Sequence, residues 1–467
     1  MSTAPGGGLH RQTVDSLNDT LVARRNAGRI PALSGAVGRG GQVLWAGTAD
    51  SDGSTTTQTS FRVGSITKPL TAVCVMRLES EGLISLDDRI GAHLPDAPAR
   101  MATVRQLLSH TAGLPAEPPG SWWERSVGGT WHEFTDLDIQ QVWPAGVRYH
   151  YSNVGYAVLG RLVETVRGRP WDDVLVDEVA APLGMTSVGR TPVGPAATGW
   201  AVHPHANLVH PEPVPPYGAM GPAGEVWATP SDLVRFGMWL GSTDPDDDRV
   251  LPAAQRERMR EPRVLVDEPG LPWTTAHGLG PRITNVDGRK LVGHGGSVPG
   301  FTAELLCDLA TGDTVALCGS ATNDVMDASP LLTVLRRVEP SAVDAFEDSA
   351  GHADLADLSG TWYWGPNPYR LTLHPGPRIE LTGHYERGRG TVFGWLNGRW
   401  VGIEGGYWLG EDLRAVRGPA GRPVALNVGT FHLTRIPYDP DTDVPGGTQD
   451  WGPLPGAGNG RATPPSP

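Results

Sequence analysis

Three short segments carry side chains whose types and spacing suit covalent catalysis. The first is Gly64-Ser65-Ile66-Thr67-Lys68, at the head of an apolar-rich run. A serine and a lysine at i and i+3 share one face of a helix. A helix N-terminus adds backbone N–H groups and positive potential. Serine is a poor nucleophile until a neighbouring base takes its proton. A partly desolvated lysine has a depressed pKa that suits it to that task. Lys68 and Lys290 are the only lysines among 38 Lys and Arg residues, and arginine stays protonated. The same stretch also reads as an N-capping serine followed by a solvated lysine.

The second segment is Tyr151-Ser152-Asn153. In an extended segment, residues i and i+2 project to one side. A phenol shuttles a proton when a cation lowers its pKa. An amide can orient a lysine or a substrate carbonyl. The structural alternative makes Tyr151 a buried anchor and Asn153 the N-cap of the following helix. The third segment is Gly293-His294-Gly295-Gly296-Ser297. Successive glycines let a backbone approach a ligand closely, and a strand edge there can donate an N–H to an oxyanion. Alone, it reads equally as a glycine-rich turn with a surface histidine.

The elements that must hold these segments follow from periodicity. Val14, Leu17, Leu21 and Val22 recur at helical spacing, and Leu33–Trp45 reads as two strands about a Gly40-Gly41 turn. A helix is expected over Ile66–Leu78, ending near Gly82, and a short one over Val104–Leu108. Residues 116–150 form a Gly/Pro/Trp-rich excursion, and 190–225 a second long loop. Asn153–Val166, Trp171–Leu183 closed by Gly184, and Asp232–Leu240 are expected helices. Phe301–Cys307 and Asp313–Cys318 flank Ala310-Thr311-Gly312 as a hairpin. The fold class is α/β (α+β): an antiparallel sheet flanked by helices.

Composition shifts near residues 340–357. Beyond it, short strands separated by Gly/Pro turns are expected at Thr361–Trp364, Tyr369–Leu373, Ile379–Thr382, Val392–Trp395, Trp400–Ile403, Tyr407–Leu409, Arg414–Arg417 and Phe431–Ile436. Such spacing predicts a small all-β barrel or sandwich. The expected layout is a flexible lead over 1–10, a large domain over 11–340, a linker over 341–354, a β-barrel domain over 355–437 and a disordered Pro/Gly-rich tail over 438–467.

The net charge of −13 argues against a general nucleic-acid binder, because nothing would neutralise a phosphate backbone. No apolar run approaches the ~18 residues that span a bilayer, so no membrane partner is expected. The N-terminus lacks a basic stretch followed by an apolar one, so no secretory signal is read and a cytoplasmic location is expected. Cys74, Cys307 and Cys318 have no CxxC spacing and read as small buried hydrophobes.

Taken together, Ser65-x-x-Lys68, Tyr151-x-Asn153 and His294-Gly295-Gly296 resemble the serine β-lactamase and penicillin-binding-protein superfamily, closest to its class C-like branch. Phe61-Arg62-Val63-Gly64, Leu107-Leu108-Ser109-His110-Thr111-Ala112-Gly113-Leu114, Pro222-Ala223-Gly224 and Ser231-Asp232-Leu233 add to the likeness, which covers about residues 10–335. The resemblance implies a β-lactamase/transpeptidase-like domain in which Ser65 is the acylated nucleophile and Lys68 helps to activate it. It makes Tyr151 the proton shuttle and has Asn153 position Lys68 and a substrate amide. The backbone N–H groups of Ser65 and Ser297 would form the oxyanion hole. It implies no metal and no organic cofactor. No Gly-x-Ser-x-Gly elbow flanks Ser65, which disfavours an α/β-hydrolase.

Many relatives carry Lys-Thr-Gly where this chain has His294-Gly295-Gly296. A neutral histidine is a poorer anion clamp, which disfavours β-lactam hydrolysis and favours an ester, thioester or amide. With no export signal, the resemblance extends to stand-alone penicillin-binding-protein-type thioesterases. These take a small-molecule or carrier-protein-bound peptide ending in a D-residue and release it as a macrocycle. A promiscuous esterase or D-stereospecific aminopeptidase is the alternative, and a penicilloyl-binding relative that turns over poorly is another. Residues 355–437 are similar to the lipocalin-like domain of some relatives. Their aromatic residues would line a pocket, wall the active site or fill a self-contained core.

Overall fold

A computed structural model describes residues 9–244, 247–286, 288–338, 353–374, 378–383 and 390–437. The chain divides into two compact units, Met1–Ser341 and Ala342–Pro467. The expected lead (1–8), most of the linker (341–352) and the tail (438–467) lie outside the described residues.

The first unit opens with α1 (Arg11–Ala27) and the hairpin β1 (Ala32–Arg39) and β2 (Gln42–Asp50), followed by β3 (Phe61–Arg62). Helices α2 (Thr67–Ser80), α3 (Ile90–His93), α4 (Val104–Leu108), α5 (Trp131–Thr135), α6 (Asn153–Arg167) and α7 (Trp171–Leu175) come next. The 190–225 loop contains a small hairpin, β4 (Trp200–Val202) with β5 (Val209–Pro211), and the one-turn helix α8 (Gly221–Gly224). After β6 (Trp227–Ala228), α9 (Pro230–Gly241) and α10 (Ala253–Arg260), the chain returns to the main sheet. It does so through β7 (Val264–Leu265), β8 (Thr275–His277), β9 (Arg282–Val286), β10 (Arg289–Val298), β11 (Phe301–Asp308) and β12 (Thr314–Gly319), and α11 (Ser329–Val338) follows.

The main sheet is eight-stranded in the order β2-β1-β12-β11-β10-β9-β8-β7. Alternation along its strands divides two cores. Ala36, Ala316, Cys318, Ala303, Leu305 and Cys307 face a large core shared with α2, α6 and α9. Leu33, Val37, Val315, Leu317 and Leu306 face a second core under α1 and α11, with Leu17, Leu21, Leu331 and Leu335. The three cysteines are buried and free. Burial pushes the Cys74 thiol up to about 12.

The structure corrects several expectations. The Trp171–Leu183 helix is not uniform: α7 gives way to a π-type turn over Val176–Ala180 and a 3₁₀ turn over Ala181–Leu183. Pro182 lacks the N–H that an α-helical continuation would use, and Gly184 closes the run at φ 67°. The 293–297 segment is no turn; it lies inside β10. Strands β3–β9 and helices α10 and α11 were not read from the sequence; β7 and β8 are too short to show an alternation.

The second unit begins with α12 (Ala353–Ala356) and closes into an antiparallel barrel. Its strands are β13 (Gly360–Trp364), β14 (Asn367–His374), β15 (Arg378–Gly383), β16 (Thr391–Leu396), β17 (Arg399–Gly405), β18 (Asp412–Arg417), β19 (Pro423–Val428) and β20 (Phe431–Thr434). Tyr407–Leu409 is not a strand but part of the β17–β18 loop, folded back so that the Gly410 N–H bonds the Gly402 carbonyl at 2.8 Å. That loop drops Trp408 into the core, where an apolar run imitates a strand. The eighth strand is β19, which begins at a proline. Trp362, Tyr369, Phe393, Trp400 and Trp408 fill the interior, while Trp364, Trp395 and Tyr407 are exposed.

Candidate active site

Ser65 sits in one 3₁₀ turn, Gly64–Ile66, between β3 and α2. The β3–β6 pairing, Phe61 with Ala228 and Arg62 with Trp227, anchors the chain before the turn. Gly64 has φ +52°, and a Cβ there would lie 2.7 Å from the Ser297 amide nitrogen. A Cβ on Gly296 would lie 1.9 Å from the Val63 carbonyl oxygen and 3.1 Å from the Ser65 nitrogen. The serine turn and β10 therefore meet backbone to backbone, an approach that only glycine permits at both positions. The β9 ladder on β10 stops at the Gly293–Arg282 pair. Beyond it, the β10 edge from His294 to Val298 has no strand beside it on that side among the described residues. This edge faces the Ser65 turn, so the Ser65 and Ser297 N–H groups share one corner.

Lys68 lies one turn into the helical run, as i, i+3 spacing requires, but it is not solvated: its exposure is 0%. Its Nζ donates to Ser65 Oγ at 2.9 Å and to the Ala223 carbonyl at 2.7 Å. The carbonyl comes from α8, which Thr71 holds against α2 through a 2.9 Å bond to the Pro222 carbonyl. Burial lowers the Lys68 pKa to about 7, and the Glu117 and Glu124 carboxylates oppose that shift. A substantial neutral fraction at neutral pH makes Lys68 a competent proton acceptor.

The Tyr151 hydroxyl lies near enough to Ser65 to feel its side chain, and Lys68 Nζ lies 4.9 Å from the phenol ring centroid. Burial nevertheless raises the phenol above its ordinary value. The cation-lowered phenol expected from sequence is not what the site holds: desolvation outweighs the Ser65 side chain and the Arg282 charge, which act in the lowering direction. The Tyr151 ring stacks on His110, with centroids 4.3 Å apart and planes 26° from parallel. His110 is buried at φ +58°, and its Nδ1 accepts the Ser152 N–H at 3.0 Å. Burial drives its pKa well down, so the neutral ring carries its proton on Nε2.

Asn153 is the first residue of α6, not its N-cap. Ser152 holds that position, its Oγ accepting the Gly155 N–H at 3.0 Å. The Asn153 Nδ2 donates to Glu117 Oε1 at 2.7 Å. The Trp123 indole donates to Glu117 Oε2 at 2.6 Å. Asn153 thus bonds Glu117, while the two hydrogen bonds of Lys68 go to Ser65 and Ala223.

His294 is buried rather than on the surface, and its ring lies 6.1 Å from that of Tyr151. Burial pushes it well below its ordinary pKa, with the neighbouring His277 adding to the effect. The neutral ring donates Nδ1–H to the Gly295 carbonyl at 2.5 Å. A cation does stand beside this strand. A Cβ on Gly295 would lie 3.5 Å from Arg282 Nη1, and Arg282 also pairs with Glu304 at 2.7 Å.

The structure thus bonds Lys68 to Ser65, brings the Tyr151 phenol beside them and sets Gly296 and Ser297 against the serine turn. His294 and Gly295 lie along the same strand, and Asn153 joins through Glu117. Sequence reasoning missed Glu117, Arg282 and the Ala223 carbonyl, and it quoted His110 without a role. Among the described residues, no group of three or more His, Cys, Asp or Glu is placed to hold a metal ion.

Comparison with known proteins identifies the family and the fold. A family profile described as Beta-lactamase matches residues 17–333. Residues 351–435 match a profile described as a domain of unknown function (DUF7586). The chain is 33% identical to penicillin-binding protein 4 of Amycolatopsis lactamdurans over 328 residues, 66% of this chain and 85% of that protein. It is 30% identical to esterase EstB of Burkholderia gladioli over 226 residues, 43% of this chain and 56% of the esterase. Its fold matches the D-amino acid amidase of Ochrobactrum anthropi SV3 with a TM-score of 0.56 and 25% identity, over 71% of this chain and 100% of that one.

Proposed function

Because this chain belongs to the β-lactamase family, we propose that it is a serine acyl-enzyme hydrolase or acyltransferase for ester, thioester or amide bonds of peptide-like substrates. The observation that carries this reading is Ser65 Oγ bonded by a buried lysine, with a phenol close by. Neutral Lys68 takes the Ser65 proton as Oγ attacks the substrate carbonyl carbon. The Ser65 and Ser297 N–H groups stabilise the oxyanion, each such donor contributing ~10²–10³-fold. The carbonyl re-forms as the leaving group departs. The Tyr151 hydroxyl, kept protonated by burial, donates to the leaving group and regains a proton from Lys68. Water or an amine then releases the acyl group by the reverse sequence.

The narrower form is a stand-alone, peptide-cyclising thioesterase with D-residue preference, acting in the cytoplasm on a carrier-bound chain. The esterase and the D-amino acid amidase among its relatives support ester and D-amide substrates equally well. A carboxylate-ended substrate, including a penicillin, is a second reading. Arg282 beside Gly295 favours it, because His294 supplies no charge.

Intact-protein mass spectrometry tests the proposal with a p-nitrophenyl ester, a penicillin and a peptidyl thioester ending in a D-residue. An adduct mapping to Ser65 is expected. A released peptide one water lighter than the hydrolysed product identifies cyclisation. An ester turned over without Ser65 becoming acylated would sink the proposal.

A further inference from the structure

Residues 141–152 lead into α6 without forming a helix or strand, yet they deliver the Tyr151 phenol to the neighbourhood of Ser65. The backbone after Tyr151 is tied down. The Ser152 hydroxyl donates to the Pro115 carbonyl at 2.6 Å, and the Asn153 N–H to the Ala116 carbonyl at 2.8 Å. These bonds do not reach the tyrosine ring, whose direction is left to packing.

His110 supplies that packing, and it touches three consecutive residues. Its carbonyl accepts the His150 N–H at 2.8 Å, its ring stacks on Tyr151 with centroids 4.3 Å apart, and its Nδ1 accepts the Ser152 N–H at 3.0 Å. The other imidazoles near the phenol, His277 and His294, stand off at 6.0 and 6.1 Å between centroids. His110 rests on a firm base. A Thr103–Gln106 capping box starts α4, and the buried Tyr156 hydroxyl of α6 donates to the Leu108 carbonyl at its end at 3.0 Å.

An independent observation is the backbone of His110 itself. Helix α4 ends in a Schellman-type turn: the His110 N–H bonds the Leu107 carbonyl at 3.3 Å and the Thr111 N–H bonds the Gln106 carbonyl at 2.8 Å. The first of these two donors sits in the left-handed region, where glycine is the usual residue because it has no Cβ to clash. His110 takes that place at φ +58°, buried. Strain of this kind collects where a side chain serves a site.

We propose that His110 is the positioning residue of Tyr151: its stacked ring and its bond to the Ser152 N–H hold the phenol where it can hand a proton to the leaving group. This inference rests on the acyl-enzyme reading of Ser65 and deepens it. A general acid must lie within hydrogen-bond reach of the atom that it protonates, and a displacement of about 1 Å costs ~10²-fold in rate. The need for that proton depends on the leaving group. An alkoxide requires it, whereas p-nitrophenolate departs without it.

The test compares kcat/KM for ethyl butyrate and p-nitrophenyl butyrate in the wild type, His110→Gly and His110→Asn. Circular dichroism and Tm are recorded, and the p-nitrophenyl ester adduct on Ser65 is scored by mass spectrometry. Glycine suits the left-handed backbone and removes both side-chain contacts. Asparagine tolerates that backbone and offers an acceptor to the Ser152 N–H, but no ring. His110→Gly is expected to lose ~10²-fold on the ethyl ester and less than ~10-fold on the p-nitrophenyl ester, with Tm close to that of the wild type. His110→Asn is expected to fall between the two. Equal losses on both esters, or an unchanged ethyl-ester rate in both variants, overturn the proposal. So does a failure of both variants to fold, which makes His110 a folding residue. A wild type that is acylated by the p-nitrophenyl ester but inert to the ethyl ester has no general acid to position, and that result also overturns the proposal while sparing the acyl-enzyme reading. Absence of any Ser65 adduct in the wild type removes the acyl-enzyme reading, and this inference with it.

Discussion

Lys68 Nζ lies 2.9 Å from Ser65 Oγ and has no surface open to solvent. Position and environment have separate origins. Helical spacing brings the two side chains together. The carbonyl of Ala223, delivered by a loop far along the chain, satisfies the ammonium or amine in a dry pocket. The result is a lysine whose pKa falls to about 7, where it can exchange a proton with a serine.

Removing either partner tests that pairing. Ser65→Ala is expected to abolish any covalent adduct seen by mass spectrometry. Lys68→Ala is expected to lower the acylation rate by ~10²–10⁴-fold, with an unchanged circular-dichroism spectrum. Wild-type acylation in either variant contradicts the assigned roles.

The pH dependence follows from the sign of the lysine shift. Lys68 must be neutral to act, so kcat/KM should rise with pH through about 7. The Glu117 charge raises the Lys68 pKa, so Glu117→Gln should move that limb to lower pH. Stability runs the same way. The folded-state pKa near 7 lies below the ordinary 10.5, so the unfolded chain binds the extra proton between them. Wild-type Tm should therefore gain on that of Lys68→Met as pH rises from 7 to 9. A constant difference between the two melting curves would show that Lys68 is not held neutral.

Tyr151→Phe separates the hydroxyl from the ring. The ring can still stack on His110, 4.3 Å away, while the hydroxyl near Ser65 is lost. A kcat loss of ~10²–10⁴-fold with little change in Tm is expected. A loss of Tm without a kcat effect would make Tyr151 a packing residue.

The two glycines at the serine turn have a steric role that can be measured. Gly296→Ala places a Cβ 1.9 Å from the Val63 carbonyl, and Gly64→Ala adds strain at φ +52°. Each should lower Tm by roughly 5–10 °C and abolish acylation, because β10 must retreat from the oxyanion corner. A variant that keeps full activity would place the oxyanion donors elsewhere.

Arg282→Ala addresses the carboxylate-ended reading. The ratio of penicillin to neutral-ester acylation should fall about tenfold if the guanidinium reads the carboxylate. An unchanged ratio would leave Arg282 as the structural partner of Glu304.

Much of the scaffold was legible because its signals are local. The Gly40-Gly41 hairpin, the helix after Ser65 and most barrel strands show their period within a few residues. The Tyr407–Leu409 loop was misread for the same reason: burial of Trp408 gives a turn the composition of a strand. His110 was visible only as part of a familiar string, since nothing local announces a left-handed histidine under a tyrosine ring.

The sequence by itself determined which residue types could react, and that Ser65 and Lys68 share a helical face, because i, i+3 geometry needs nothing beyond the backbone. Tertiary structure alone decided that Lys68 is dry, that His294 is neutral and buried, and that Tyr151 keeps its proton, because desolvation depends on what packs around a group. It also decided that the Gly64 turn and the β10 edge touch, since that corner forms only when segments distant in the chain meet without side chains between them. The Glu117 link to Asn153 belongs to the same class: a carboxylate from a long loop finds its amide only after the loop is folded.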